Sequence, residues 1–121
     1  MKKEELTKLF KNMSRLHVVV LGDVMLDNYW WGDVERISPE APVPVVRLKK
    51  REARMGGAAN VAMNCKALGA KVTLASVVGK DHEGHMLRDM AEQEGIDTSL
   101  LMLSSERITT TKTRVMSRSQ H

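Results

Sequence analysis

The chain has 121 residues, enough for one small domain, and its 42% hydrophobic and 28% charged residues are typical of a globular protein. A net charge of +4 without a dense basic block or interleaved aromatic residues argues against a nucleic-acid partner. No apolar run reaches the length of a membrane span, no signal peptide is recognisable and a single cysteine excludes an internal disulfide, so we expect a cytoplasmic protein.

The first residues predict a helix followed by a strand. Apolar residues recur at helical spacing within residues 6–13, which indicates a short amphipathic helix lying on the domain. Residues 17–21 are almost wholly apolar and mainly β-branched, which is typical of a central strand of a parallel sheet that is covered on both faces. The residues that follow therefore stand where such sheets bind ligands, beyond the carboxyl end of a strand.

Two carboxylates, Asp23 and Asp27, follow this predicted strand. Charged acceptors form strong hydrogen bonds, so the two side chains together suit several hydroxyl groups of a polyol. They also suit a metal ion. The remaining alternative is that Asp23 caps a turn while Asp27 is solvated, and the residues alone leave these interpretations open.

The stretch 28–50 predicts two strands joined by a proline-rich connection. Residues 29–31 and 43–48 have strand composition, and the prolines between them exclude a helix. We expect such an antiparallel insertion to project from a parallel fold as a flap. Three of the chain's four aromatic residues lie at 29–31, which suits either a buried interface or packing on the core. The basic run at 49–54 indicates a solvated face or a region that attracts a phosphorylated substrate.

A run of small residues at 56–62, GGAANVA, predicts a loop that opens a helix. Gly56 and Gly57 remove side chains where the backbone can approach a ligand, and the N–H groups of a first helical turn suit phosphate, hydroxyl or oxyanion groups. Asn60 adds an amide with two donors and one acceptor, which suits a sugar hydroxyl. The alternative is a helix N-terminus whose small residues only pack against a sheet.

The rest of the chain predicts alternating strands and helices. We expect the helix to end at Gly69, a strand at 71–78, a helix at 82–94 capped by Asp81, and strands at 100–103 and 109–116. This alternation predicts parallel strands with right-handed crossovers. The histidines at the start of the second of these helices lack the order of a zinc motif, so we predict no metal site there.

The last predicted strand carries cations on one face. Lys112 and Arg114 share that face at period two, together with Met116 and Arg118. Neighbouring cations can bind a sugar phosphate, and an arginine can do so through two hydrogen bonds. The alternative is an exposed edge strand that charge protects from aggregation.

The glycine pattern resembles the N-terminal signature of the ribokinase-like sugar kinases of the pfkB type. The residues on which this resemblance rests are the 56–62 run, Gly69 and Gly79. Residues 22–30, 36–46 and 109–115 are similar to the same family, and most similar to the heptose-phosphate kinases of the lipopolysaccharide pathway. The resemblance implies an α/β fold of the ribokinase-like three-layer kind, with a mainly parallel sheet, flanking helices and a small β lid at about 28–50.

The activity implied by this resemblance is ATP-dependent phosphorylation of a sugar phosphate, at the anomeric hydroxyl of a heptose 7-phosphate, in the synthesis of ADP-heptose. The implied cofactors are ATP and Mg²⁺, and the lid implies a homodimer. The aspartates and Asn60 would hold sugar hydroxyls, the glycines would give backbone room and the cations would meet the phosphate. The implied substrate-binding residues are Asp23, Asp27, Gly56, Gly57, Asn60, Lys112 and Arg114.

The catalytic aspartate of such kinases lies in a Gly-Ala-Gly-Asp motif of the C-terminal half, as do the segments that bind ATP. Residues 1–121 contain neither, so we expect them to be the N-terminal part of a longer kinase domain, without a catalytic residue of their own. The alternatives are another ribokinase-like sugar or nucleoside kinase, an inactive sugar-binding module and a dimerisation module. A P-loop kinase is excluded, because no Gly-x-x-x-x-Gly-Lys-Ser/Thr sequence is present.

Overall fold

The computed structural model describes residues 1–117, apart from the side chain of residue 35, and Arg118 therefore lies outside the described residues. The elements in chain order are α1 (Lys3–Met13), β1 (His17–Leu21), β2 (Val24–Ile37), β3 (Pro44–Gly57), α2 (Ala58–Ala67), β4 (Lys71–Gly79), α3 (His82–Gln93), β5 (Leu101–Ser104) and β6 (Thr111–Ser117). The described chain divides into two compact units. The first unit comprises residues 1–26 and 55–110, and the second comprises residues 27–54 and those from Thr111 onward.

The first unit contains a parallel sheet with the order β1-β4-β5 among the described residues. Val20 of β1 lies opposite Leu74 of β4, and Val78 of β4 lies opposite Leu103 of β5. In the chain, helix α2 comes directly before β4 and helix α3 lies between β4 and β5, and both helices contact β4. The predicted alternation of parallel strands and helices is confirmed.

The core of the first unit lies between one face of this sheet and its two helices. Leu74 of β4 and Leu87 of α3 are fully buried. Ala59 and Ala62 of α2 are also fully buried, and these small side chains let the helix axis lie close to the strands. The small residues of the 56–62 run therefore do serve packing, as one of the sequence interpretations required.

The opposite face of the sheet differs from the sequence prediction. Among residues 1–117, β1 lies at an edge of its sheet and β4 at the centre, so the prediction of a central β1 is wrong for this part of the chain. Val19 and Leu21 of β1 are 58% and 82% exposed, because the helices cover only the face on which Val18 and Val20 lie. An apolar strand sequence predicts burial, but it does not state which element covers each face.

Helix α1 forms where the sequence predicts it, but its apolar stripe is not covered. Leu6, Leu9 and Phe10 are 42–45% exposed, and no residue of the helix is buried. The prediction that this helix lies on the domain is therefore wrong for the described residues. None of the helices within residues 1–117 combines the length and the apolar character that crossing a membrane requires.

Asp81 caps α3, as predicted, and also binds the segment that precedes β6. Its Oδ1 accepts hydrogen bonds from the Gly84 N–H at 2.7 Å and from the Thr109 hydroxyl at 2.6 Å, and its Oδ2 accepts one from the Thr109 N–H at 2.9 Å. The N–H of Gly79 donates to the hydroxyl oxygen of Thr109 at 2.8 Å. The bonds from Thr109 are the main cause that holds the pKa of Asp81 below its usual value.

We expect Asp81→Asn to lower the midpoint of thermal unfolding of the whole protein by several degrees at pH 7, because the charged acceptor of three hydrogen bonds is lost. The folded pKa of Asp81 is depressed, so its contribution is present above the unfolded pKa and disappears as pH falls through the folded pKa. Thermal scans from pH 7 to pH 3 test this, with the exposed Asp89→Asn on the same helix as the control. A difference between Asp81→Asn and the parent protein that persists unchanged at pH 3 would contradict the assignment.

The second unit is built from β2, β3 and β6, which form a sheet with the order β3-β2-β6 among the described residues. The strands predicted at 29–31 and 43–48 are confirmed, although each belongs to an element of 14 residues. The proline-rich connection is closed by the Ser38 N–H, which donates to the Val43 carbonyl at 2.7 Å. The last strand begins at Thr111, two residues later than predicted, since Thr109 is engaged with Asp81.

Candidate functional site

Asp23 of the first unit lies in the turn between β1 and β2, at the carboxyl end of β1. The N–H of Ala58, the first residue of α2, donates to the Asp23 carbonyl at 2.8 Å. The Ser76 hydroxyl of β4 donates to the carbonyl of Gly22 at 2.6 Å. These bonds hold the turn against the start of α2, and they use its backbone while its carboxylate remains exposed.

Gly57 is required at the start of α2 for a structural reason that the sequence did not indicate. Its φ is +62° with ψ at −135°, a conformation that favours glycine. A Cβ at this position would overlap the Asp23 carbonyl oxygen. The space beside Gly57 is therefore filled by the protein's own backbone, and the Ala58 N–H is not free for a ligand. Gly56, the preceding residue of β3, is buried.

Asn60 lies on the first turn of α2 and is exposed. Within residues 1–117 the structure gives neither the Asn60 amide nor the Asp23 carboxylate a hydrogen-bond partner. Both groups belong to backbone segments that the bond between Ala58 and Asp23 joins. The first unit therefore presents a carboxylate and an amide, which together can accept from and donate to hydroxyl groups.

Asp27 of the second unit lies within β2, four residues beyond Asp23. Its Oδ1 is buried, and none of the described residues donates a hydrogen bond to it. The closest cation is Arg114 of β6, whose Nη1 lies 3.6 Å from that oxygen. The Asp27 side chain is 19% exposed, and the Arg114 side chain is 39% exposed. A buried carboxylate oxygen without a donor is unfavourable, and such an atom indicates a place where a ligand can supply the missing hydrogen bond.

Of the two cations predicted to share a face of β6, only Arg114 makes polar contacts with other side chains among the described residues. Its Nη1–H donates to the Tyr29 hydroxyl at 3.0 Å, and the guanidinium is half-buried. Lys112 is exposed, and no described residue forms an ion pair with it. The structure therefore brings Arg114 close to Asp27, whereas Lys112, two residues before Arg114, is exposed to solvent.

A group of aromatic and basic side chains next to Asp27 was not predicted. The rings of Tyr29 and Trp31 stack with centroids 5.9 Å apart. The Cζ of Arg54 lies 4.4 Å from the Tyr29 centroid, and the Nζ of Lys50 lies 5.0 Å from the Trp31 centroid. Alternation along β2 places Asp27, Tyr29 and Trp31 on one face, a signal that was available in the sequence. The basic run at 49–54 is therefore partly engaged with aromatic rings.

The part of the chain that the structure describes contains no preformed metal site. Within residues 1–117 no group of three or more histidine, cysteine, aspartate or glutamate side chains is arranged to hold a metal ion. Asp23 and Asp27 therefore do not belong to a cluster of that kind within residues 1–117.

Comparison with known proteins identifies a family model and several similar proteins. The family model for the pfkB family carbohydrate kinases matches residues 15–121. The chain is 57% identical over 110 residues to the D-beta-D-heptose 7-phosphate kinase of Bordetella bronchiseptica, covering 91% of this chain and 35% of that protein. It is 43% identical over 120 residues to the bifunctional protein HldE of Citrifermentans bemidjiense, covering 99% of this chain and 25% of that protein.

Among solved structures, the chain is similar to the ribokinase of Cryptococcus neoformans var. grubii serotype A, which was solved in complex with ADP. The TM-score is 0.65 at 21% identity, and the match covers 88% of this chain and 32% of that one. The predicted ribokinase-like α/β fold is confirmed by this similarity. The chain spans between a quarter and about a third of the length of these relatives.

Proposed function

Because the chain belongs to the pfkB family of carbohydrate kinases, we propose that the whole protein transfers a phosphoryl group from ATP to a phosphorylated sugar. The acceptor is the anomeric hydroxyl of heptose 7-phosphate, and the product enters the synthesis of ADP-heptose for the lipopolysaccharide core. The name of the relative that is 57% identical supports this substrate. The name of the bifunctional relative is consistent with a kinase activity that is combined with a second one.

The observation that carries the proposal is the buried Asp27 Oδ1 that lacks a donor. A sugar offers several hydroxyl donors, and a hydrogen bond from a hydroxyl to a carboxylate is stronger than one between neutral groups. Arg114 lies 3.6 Å from the same oxygen and carries the positive charge that a sugar phosphate needs. A carboxylate and a guanidinium side by side match a ligand that has both hydroxyl and phosphate groups.

The remaining predicted residues complete the proposed contacts. Asp23 and Asn60 bind sugar hydroxyls, which is supported by their exposed polar groups without partners among the described residues. The lack of a side chain at Gly57 lets the start of α2 lie against the Asp23 carbonyl. Gly56, the preceding residue of β3, is proposed together with Gly57 to leave backbone room for the sugar. Lys112 attracts the substrate phosphate from solvent.

ATP and Mg²⁺ are the proposed cosubstrate and cofactor. The ADP complex of the ribokinase that this fold resembles supports ATP as the donor. ATP supplies the phosphoryl group, while Mg²⁺ neutralises the charge that develops during transfer. We propose that Mg²⁺ and the acceptor's proton are bound mainly by the C-terminal half of the kinase domain, where the family resemblance places the catalytic aspartate.

We place the reaction in the cytoplasm, where ATP is available, and propose a homodimer formed through the lid at residues 28–50. The exposed apolar side chains of Val34, Ile37 and Val43, which are 39%, 61% and 51% exposed, support a contact surface there. Sedimentation equilibrium of the whole protein checks the dimer, and a species with the mass of one chain at micromolar concentration would exclude it.

We expect Asp27→Asn to raise the dissociation constant for heptose 7-phosphate by about 10- to 100-fold, because one charge-assisted hydrogen bond is lost. Calorimetric titration of the whole protein measures the effect, and the KM for ATP serves as an internal control that stays unchanged. Asp33→Asn, a change of the same type further along β2, is the matched control and leaves sugar binding intact. Equal affinity of Asp27→Asn and the parent protein would remove Asp27 from the site.

A further inference from the structure

Tyr29 contacts two arginine side chains within the second unit. Its hydroxyl accepts the hydrogen bond from Arg114 Nη1–H at 3.0 Å, and the Arg114 Cζ lies 5.1 Å from the ring centroid. The Arg54 Cζ lies 4.4 Å from the same centroid. Each guanidinium is within the range in which an aromatic ring attracts a cation. The Tyr29 side chain thus combines a polar contact with Arg114 and stacking contacts with both arginines.

The Tyr29 ring is itself held by groups other than Arg114. Trp31 stacks on it with an interplanar angle of 19°. Arg54 is fixed in turn by Glu52, whose Oε1 accepts from the Arg54 Nε–H at 3.0 Å. This hydrogen bond is the main cause that raises the pKa of the Arg54 guanidinium. The Tyr29 ring therefore has contacts with Trp31 and Arg54 that do not involve Arg114.

Arg114 stops short of the carboxylate that it would be expected to bind. Its Nη1 lies 3.6 Å from the Asp27 Oδ1, which is beyond hydrogen-bond distance, although the opposite charges attract each other. The same nitrogen donates one of its two N–H groups to the Tyr29 hydroxyl, which anchors it at that distance. As a result the Asp27 Oδ1 remains buried without a donor among the described residues.

We propose that Tyr29 is a positioning residue, which keeps Arg114 from closing onto Asp27 and so leaves the carboxylate open to a sugar hydroxyl and the guanidinium open to a phosphate. This inference rests on the proposed function, since it assigns a role within the same substrate contacts. An arginine can bind a carboxylate through two parallel hydrogen bonds, and that closed pair would occupy both groups at once. The hydroxyl of Tyr29 opposes this closure by anchoring Nη1 at its present distance of 3.6 Å from the Asp27 Oδ1.

The inference predicts that stability and substrate affinity change in different directions. Tyr29→Phe keeps the ring that stacks on Trp31 and Arg54, but it removes the acceptor for Arg114. Nη1 then turns to the Asp27 Oδ1 and satisfies that buried oxygen. We expect the KM for heptose 7-phosphate to rise about tenfold with kcat retained, while the midpoint of thermal unfolding stays equal or rises. A residue with only a structural role would lower the midpoint and leave KM unchanged.

The experiment compares steady-state kinetics and thermal unfolding of the whole protein for Tyr29→Phe, Arg114→Ala and the double variant, with heptose 7-phosphate as the varied substrate. In the double variant we expect the KM of Arg114→Ala alone, because Tyr29 acts through Arg114. Trp30→Phe is the matched control. Trp30 lies on the other face of β2, where the Arg51 Cζ is 5.6 Å from its ring, and its replacement leaves KM unchanged.

The possible outcomes separate this inference from the proposed function. A raised KM for Arg114→Ala, together with an unchanged KM for Tyr29→Phe, overturns the positioning role and leaves the phosphate contact in place. Effects of the two single changes that multiply in the double variant also overturn it. An unchanged KM for Arg114→Ala removes the phosphate contact, and with it the inference about Tyr29.

Discussion

Asp23→Ala is expected to raise the dissociation constant for heptose 7-phosphate more than 100-fold. Both oxygens of this exposed carboxylate are available to hydroxyl groups, and each charge-assisted hydrogen bond that is lost costs about 1.5–3 kcal/mol. The fold should survive the change, since the bond from the Ala58 N–H goes to the Asp23 carbonyl, which alanine retains. Calorimetric titration measures the affinity, and thermal unfolding verifies that the variant is folded.

Asn60→Ala is the variant to compare with Asp23→Ala. We expect it to weaken sugar binding only about tenfold, because a neutral amide makes weaker hydrogen bonds than a carboxylate. The assignment of both residues to the sugar site predicts that Asp23→Ala weakens sugar binding more than Asn60→Ala does, and this order is tested together with the size of each loss. Sugar affinity that Asp23→Ala leaves intact in a folded protein would refute the main site assignment in the first unit.

Gly57→Ala is expected to destabilise the whole protein by about 2 to 6 kcal/mol. A non-glycine residue at this φ of +62° and ψ of −135° is strained by about 1–3 kcal/mol. The added Cβ also overlaps the Asp23 carbonyl oxygen, and relieving such an overlap costs about 1–3 kcal/mol more. Unfolding in denaturant, followed by circular dichroism, gives the difference.

Gly69→Ala separates the two causes. Gly69 also has a positive φ, +105°, but the nearest atom to an added Cβ, in Ser14, is 4.0 Å away, so only the strain remains. We expect Gly69→Ala to cost about 1–3 kcal/mol. Equal losses for the two variants would mean that the close approach of Gly57 to Asp23 contributes nothing to stability.

The elements that sequence predicted well are those with local signals. Asp81 before a segment with a helical apolar period identifies a helix start, and the structure adds that the same carboxylate binds Thr109. The period of apolar residues likewise located α1, but the exposure of its stripe depends on which other elements reach it. The glycine run located the start of α2 without revealing that the Asp23 carbonyl occupies the space beside Gly57.

The contacts that sequence did not predict join distant parts of the chain. Tyr29 and Arg114 are 85 positions apart, and nothing near either residue indicates that the other is its partner. Side chains alternate between the two faces along β2, which places Asp27 and Tyr29 on the same face. That β6 lies next to β2 is a property of the fold and is not visible in the sequence of either strand. A sequence pattern identifies candidate binding residues, whereas the residues that they contact, and the distances between them, follow only from the strand order.

The most direct test of the proposed function is phosphorylation by the whole protein, with ATP and Mg²⁺, of heptose 7-phosphate, fructose 6-phosphate and ribose. We expect heptose 7-phosphate to have the highest kcat/KM of the three and its product to carry the new phosphate on the anomeric oxygen, as phosphorus NMR can show. No transfer to heptose 7-phosphate, with turnover of ribose or fructose 6-phosphate, would contradict the proposal and assign the protein to another substrate within its family.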